Sequence, residues 1–152
     1  MKTLILAAIS ILASVQLSSA DLFGAFVGTW TQEGATPGSK VTTVYKRYQT
    51  RGLFSTTTVI IPGKDKQIGV TRYYDNGRVK GDLRRNGVVQ SKLAGTWLIS
   101  GRSLKTKLTV TAPMVPVFSG NIRSTLVGNS NINTVSISDN GARSMSTMIR
   151  KN

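Results

Sequence analysis

The sequence predicts an all-β protein, an antiparallel up-and-down β-barrel of about 8–10 strands built as one domain. Three observations carry that prediction. From residue 26 to the end, β-branched and apolar residues alternate with polar ones at the two-residue period of a strand. Turn signals containing glycine recur between these runs. No stretch carries a 3.6-residue apolar period.

Taken in order, the predicted strands are Phe26–Gln32, Val41–Thr50, Leu53–Ile61, Ile68–Tyr74, Arg78–Arg84 and Val88–Leu93, followed by Thr96–Ser100, Leu104–Val110, Ile122–Val127, Ile132–Ser138 and Arg143–Arg150. "DNG" at Asp75–Gly77 and at Asp139–Gly141, with "NG" at Asn86–Gly87, predicts tight two-residue hairpins, because both central positions of such turns need positive φ. "PGKD" from Pro62, "SGRS" from Ser100 and "VGNSN" from Val127 predict looser connections. "DLFGAF", Asp21 to Phe26, predicts at most one 3₁₀ turn. "TAPMVPVFSG", Thr111 to Gly120, contains two prolines that interrupt a strand ladder, and predicts a long crossing loop or a lid over one barrel mouth. A meander of this length must close or fold on itself to bury its edges.

Residues 1–20 read as a secretory signal peptide: Lys2, an apolar run from Leu4 to Leu12, and small residues Ser18 and Ala20 before a cleavage point. The domain expected to remain is 21–152, secreted or periplasmic, with no transmembrane segment after signal cleavage. The chain has no cysteine and no histidine. Disulfides, thiol nucleophiles, thiolate or imidazole metal sites and histidine-based triads are therefore excluded. The six acidic residues are Asp21, Glu33, Asp65, Asp75, Asp82 and Asp139. Five are explained by turns or the chain start, and Asp82 reads as a strand-face partner for Lys80 or Arg84. The expectation is a non-enzymatic protein with no metal and no cofactor.

"GTWTQEG" at 28–34 is echoed by "GTWLISG" at 95–101. A duplicated half-barrel and convergent strand-and-turn chemistry both account for the echo. A short turn followed by G-x-W on the first strand resembles the opening of lipocalins and their calycin relatives, and the small bacterial lipocalin-like domains look most similar. The resemblance implies a barrel over Asp21–Lys151, with Trp30 closing its narrow end and Arg150 of the last strand packing over the indole by a cation–π contact.

The chain carries a formal charge of +14, and eleven basic residues fall between Lys64 and Lys107. The leading functional expectation is a binding module that holds a small apolar or amphipathic, anionic or neutral, ligand in the barrel. Tyr45, Arg72, Tyr74 and Trp97 are its candidate wall residues. Arg72 falls on a strand face that mixes apolar and basic residues, so it is read either into a cavity or out to solvent. The alternative is a surface binder of polyanions, such as nucleic acid, acidic polysaccharide or envelope phosphates, through basic strands with interleaved tyrosines. Barrels of this size either fill their interior with side chains or enclose one small ligand.

Overall fold

A computed structural model describes residues 19–34, 36–112 and 115–152; the predicted signal segment lies almost entirely outside the described residues. Among the described residues one helix, α1 (Ser19–Phe26), precedes ten strands: β1 (Gly28–Glu33), β2 (Lys40–Tyr48), β3 (Gly52–Ile60), β4 (Gln67–Tyr73), β5 (Arg78–Arg85), β6 (Val88–Ser100), β7 (Ser103–Ala112), β8 (Val115–Val127), β9 (Asn131–Ser138) and β10 (Arg143–Arg150). Every strand pairs antiparallel with its sequence neighbours, and β1 pairs with β10, so the sheet closes into an up-and-down barrel without an edge.

Period-2 side chains fix the register, because a slip of one residue would turn the whole apolar set outward. Trp30 faces inward, and successive register partners carry that face around the barrel through Thr43, Thr57, Gly69 and Leu83. Leu53, Val79, Trp97, Leu104, Leu126 and Ile132 share the inward side and are buried. They form the core at one end of the cylinder. There α1 lays Phe23 and Phe26 across the opening, Phe23 edge-on to Trp97 and Phe26 edge-on to Tyr45. Fully burying aromatics of this size stabilises the plug by about 2–3 kcal/mol each.

Three local features differ from the sequence expectation. The segment Ser19–Phe26 is an eight-residue α-helix rather than a single 3₁₀ turn, held by its two core phenylalanines. Val88–Leu93 and Thr96–Ser100 are one strand, since Ala94 and Gly95 continue the ladder opposite Lys80 and Val79. Gly95 is needed there because a Cβ would fall on the Lys107 carbonyl oxygen of β7. The proline-containing stretch is not a long crossing loop: β8 starts at Val115 and pairs with β7 from its first residue. Pro116 sits opposite Thr111 beside a register shift at Val110/Thr111, where the ladder tolerates a missing N–H.

The hairpins divide by turn chemistry. Asn86 and Gly87 both have positive φ (51° and 78°), as a two-residue type I′ turn requires. The two "DNG" turns are three-residue loops instead. Tyr74 N–H donates to Arg78 O and Gly77 N–H to Tyr74 O (2.8 and 3.0 Å), and Ser138, Ala142 and Gly141 repeat the pattern (2.9 Å each). Only the glycine of each triplet, Gly77 or Gly141, has positive φ. Asn76 and Asn140 instead cap the loop, accepting from the Arg78 and Ala142 N–H groups.

Candidate functional site: the barrel lumen and an outer trough

Strand parity sorts the inward residues into two arcs. Thr43, Ser55, Thr57 and Thr71 on β2–β4, with Ser124, Thr134, Ser136 and Ser146 on β8–β10, present hydroxyls. Across from them β5–β8 present Leu83, Leu93, Val110, Phe118 and Ile122, broken by the hydroxyls of Ser91 and Thr106. Most of these inward side chains are only half-buried. The plug occupies one end. The connections after β1, β3, β5 and β9 surround the other.

The hydroxyls pair across strands: Thr43 with Thr57 at 3.0 Å, Ser124 with Thr134 at 2.9 Å and Ser136 with Ser144 at 2.6 Å. Between the plug and this region lies a chain of three hydroxyls, Ser55, Tyr73 and Tyr45, with Tyr73 hydrogen-bonded to both of the others. Burial pushes the Tyr45 phenol up to about 12, against a smaller lowering by the Tyr73 hydrogen bond. Tyr73 is raised further, by burial first and then by its tyrosine partner. Both phenols therefore stay neutral and offer a fixed donor–acceptor line on the lumen floor. Near the opposite end Arg85 stands on the inward side of β5, opposite Gln67, and its Nε is buried without a hydrogen-bond partner among the described residues.

The sequence-derived candidates separate in space. Tyr45 and Trp97 point inward. Trp97 is buried, its indole N–H donating to the Tyr74 carbonyl at 2.9 Å and its ring lying edge-on to Tyr73. Arg72 stands on the outer face, with its guanidinium 5.5 Å from the Phe54 ring centroid. Tyr74 lies just beyond β4 with its ring against Tyr48, on the outer side of β2. Trp30 is fully buried and donates its indole N–H to Phe26 O at 2.8 Å. The Arg150 guanidinium lies 4.4 Å from the Trp30 ring centroid and donates to Val27 O (3.2 Å) and Ala25 O (2.6 Å). Tyr73, Ser55 and the Thr/Ser arc were not singled out from sequence. Their signal was parity with Leu53 and Val79, which places them on the inward face.

Four carboxylates have structural partners. Asp75 accepts the Thr50 and Arg51 N–H groups. Asp65 accepts from Asn86, and Asp139 from Ser119. Asp82 pairs with Arg84 at 2.8 Å, and the Arg84 hydrogen bond holds its carboxyl below the ordinary range. Among the described residues no three acidic side chains gather as a metal site.

Outside the barrel, β6–β10 form a trough of about 560 Å³. Lys105, Lys107, Arg123 and Arg143 line it, with Leu98 on the β6 side of Lys105 and Val135 and Ile137 on β9 beside Arg123 and Arg143. Leu98 and Ile137 are 54% and 45% exposed, large fractions for apolar side chains.

No protein-family model and no curated protein sequence matches this chain. Among solved structures it is similar to Rv2717c from M. tuberculosis, with a TM-score of 0.52 and 12% sequence identity over 89% of this chain and 98% of that one. At this identity the likeness concerns the fold, a closed antiparallel barrel.

Proposed function

We propose that this protein is a secreted or periplasmic, non-enzymatic binding module of lipocalin-like type, holding one small amphipathic molecule in its lumen. The observation that carries this reading is the division of the half-buried inward residues into an apolar arc on β5–β8 and a hydroxyl arc on β2–β4 and β8–β10. A ligand with one apolar and one hydrogen-bonding side suits both arcs at once, whereas a purely apolar ligand offers nothing to the donor and acceptor capacity that the cross-strand hydroxyl pairs leave over. The Tyr45–Tyr73–Ser55 line supplies fixed polar contacts at the floor, and Arg85 supplies a cation toward the mouth. A small number of placed polar groups in a largely apolar concavity is the usual anatomy of such sites. Non-enzymatic action is supported by the four partnered carboxylates, each engaged in a turn or an outer-face pair.

The test is a thermal-shift titration with neutral single-chain amphiphiles, such as a monoacylglycerol below its micelle concentration. At a ligand concentration one-hundredfold above Kd, stabilisation is about 2.7 kcal/mol. For a domain of this size that raises Tm by about 5–10 °C. A Gly69→Leu variant directs a side chain into the lumen without a backbone clash, since the atoms nearest a Cβ there are Leu83 Cδ1 at 3.5 Å, Thr57 Cβ at 3.7 Å and Asp82 O at 3.8 Å. It should fold and lose the shift. Absence of any shift across chain lengths in the natural protein rules the lumen reading out.

A further inference from the structure

The outer trough carries an arrangement that folding does not require. Register places Lys105 directly opposite Arg123 on neighbouring strands, and in the next row Lys107 opposite Asn121, which leads through Ile137 to Arg143. Like charges directly opposite in a sheet repel. A second like-charged pair on the barrel, Arg72 opposite Lys80, has Asp82 nearby, and the Arg72 charge helps to lower the Asp82 carboxyl. The Lys105–Arg123 pair has no such compensation. None of the four trough cations forms an ion pair among the described residues, and no carboxylate lines the trough. Asp139, at the turn beyond Ile137, is held on Ser119 at 2.7 Å.

We infer that this trough is a second binding site, distinct from the lumen, for a single anionic amphiphile: a phosphate, sulfate or carboxylate head between Lys105 and Arg123, with its apolar chain along Val135 and Ile137. Charge complementarity selects the head, because an oxyanion placed between two unpaired cations relieves their repulsion while accepting from both. The exposed apolar side chains select the tail. A trough of about 560 Å³ lies within the range of small-ligand sites. Nucleic acid fits less well, since single strands are held by aromatic stacking and no aromatic ring lies on the outer side of the trough; Trp97 there contributes from the inward face.

The experiment is calorimetric titration of the full chain with monomeric dodecyl phosphate, inorganic phosphate, a neutral dodecyl glyceride and vesicles containing anionic phospholipid. Dodecyl phosphate should bind and weaken as salt rises. The Lys105→Gln/Arg123→Gln variant should lose at least about tenfold in affinity for it, a difference of about 1.4 kcal/mol, while Gly69→Leu should bind it as the natural chain does. Circular dichroism and a cooperative thermal transition establish that both variants fold; if the double variant does not, the single variants Lys105→Gln and Arg123→Gln replace it, each with a smaller loss in the same direction. Inorganic phosphate binding as tightly as dodecyl phosphate contradicts the proposal, because the apolar residues then contribute nothing. So does binding to vesicles without binding of the monomer. Loss of dodecyl phosphate binding in Gly69→Leu, with full affinity in the double variant, moves the ligand to the lumen and overturns the second site while leaving the lumen reading intact.

Discussion

Arg150 lies across the indole of Trp30, and the two residues stand directly opposite each other on the β10–β1 seam that closes the barrel. The same guanidinium donates to Val27 O and Ala25 O, so one side chain ties the last strand to the first and to the end of α1. The plug, the seam and the helix are thus held at one point. The lumen above the plug and the outer trough lie away from that point.

Removing that tie should cost more than the cation–π contact alone. Arg150→Ala loses the contact and leaves two carbonyls without a charged donor, for an expected loss of about 2–4 kcal/mol in urea unfolding. Arg150→Lys keeps the charge over the ring but not the planar fork, and should lose roughly half as much. A change within about 0.5 kcal/mol for the alanine variant, the size of an ordinary surface substitution, would show that the seam does not depend on this residue.

Two glycines on the inward face should respond in opposite ways. A Cβ at Gly95 meets the Lys107 backbone, so Gly95→Ala must push β6 from β7 and should destabilise by about 2–4 kcal/mol. At Gly69 the same methyl finds ordinary contacts, so Gly69→Ala should remain within about 1 kcal/mol of the natural protein. Equal effects at both sites would contradict the strand spacing described here.

Stability should be nearly level from about pH 5 to about pH 9, because the chain has no histidine to titrate there. On the alkaline side, Tyr45 and Tyr73 have folded pKa values raised above the ordinary 10.0, Tyr45 to about 12. Their contribution is complete below pH 10 and is lost as pH rises from there through the folded values, because the unfolded chain gives up these protons first. Asp82 has the opposite sign. Its carboxyl is depressed, so its contribution is present above pH 3.8 and lost as pH falls through the lower folded value. That loss should be small, because the Arg84 pair is exposed. Urea midpoints measured against pH check both limbs, and Tyr45→Phe should flatten the alkaline one.

Much of the fold was legible because alternation survives in almost every strand, and each turn signal marked a real reversal. What was not legible depended on partners distant in sequence. Ala94 and Gly95 look like a break between two short strands, but pairing with Lys80, Val79 and β7 carries the ladder through them. The prolines of 113–116 suggested a loop, yet Pro116 sits where a register shift removes the need for its N–H. "DNG" fixed the places of two hairpins but not their loop length, which the Asn side chains set by capping. For the candidate site, parity alone left Arg72 undecided between lumen and solvent. Its register partners Phe54 and Lys80 place it outside. The hydroxyl arc was hidden for another reason: serine and threonine are unremarkable in any exposed strand, and only closure of the barrel turns them inward as a set.

The lumen reading is tested most directly by mapping amide chemical shifts during titration with a neutral monoacylglycerol. Perturbations should gather at inward positions of both arcs, Leu93, Val110 and Phe118 on one side and Thr71, Ser136 and Ser146 on the other, and vanish in Gly69→Leu. Saturable shifts confined to outward positions such as Leu98 and Val135, or no shifts at any concentration below micelle formation, would contradict it.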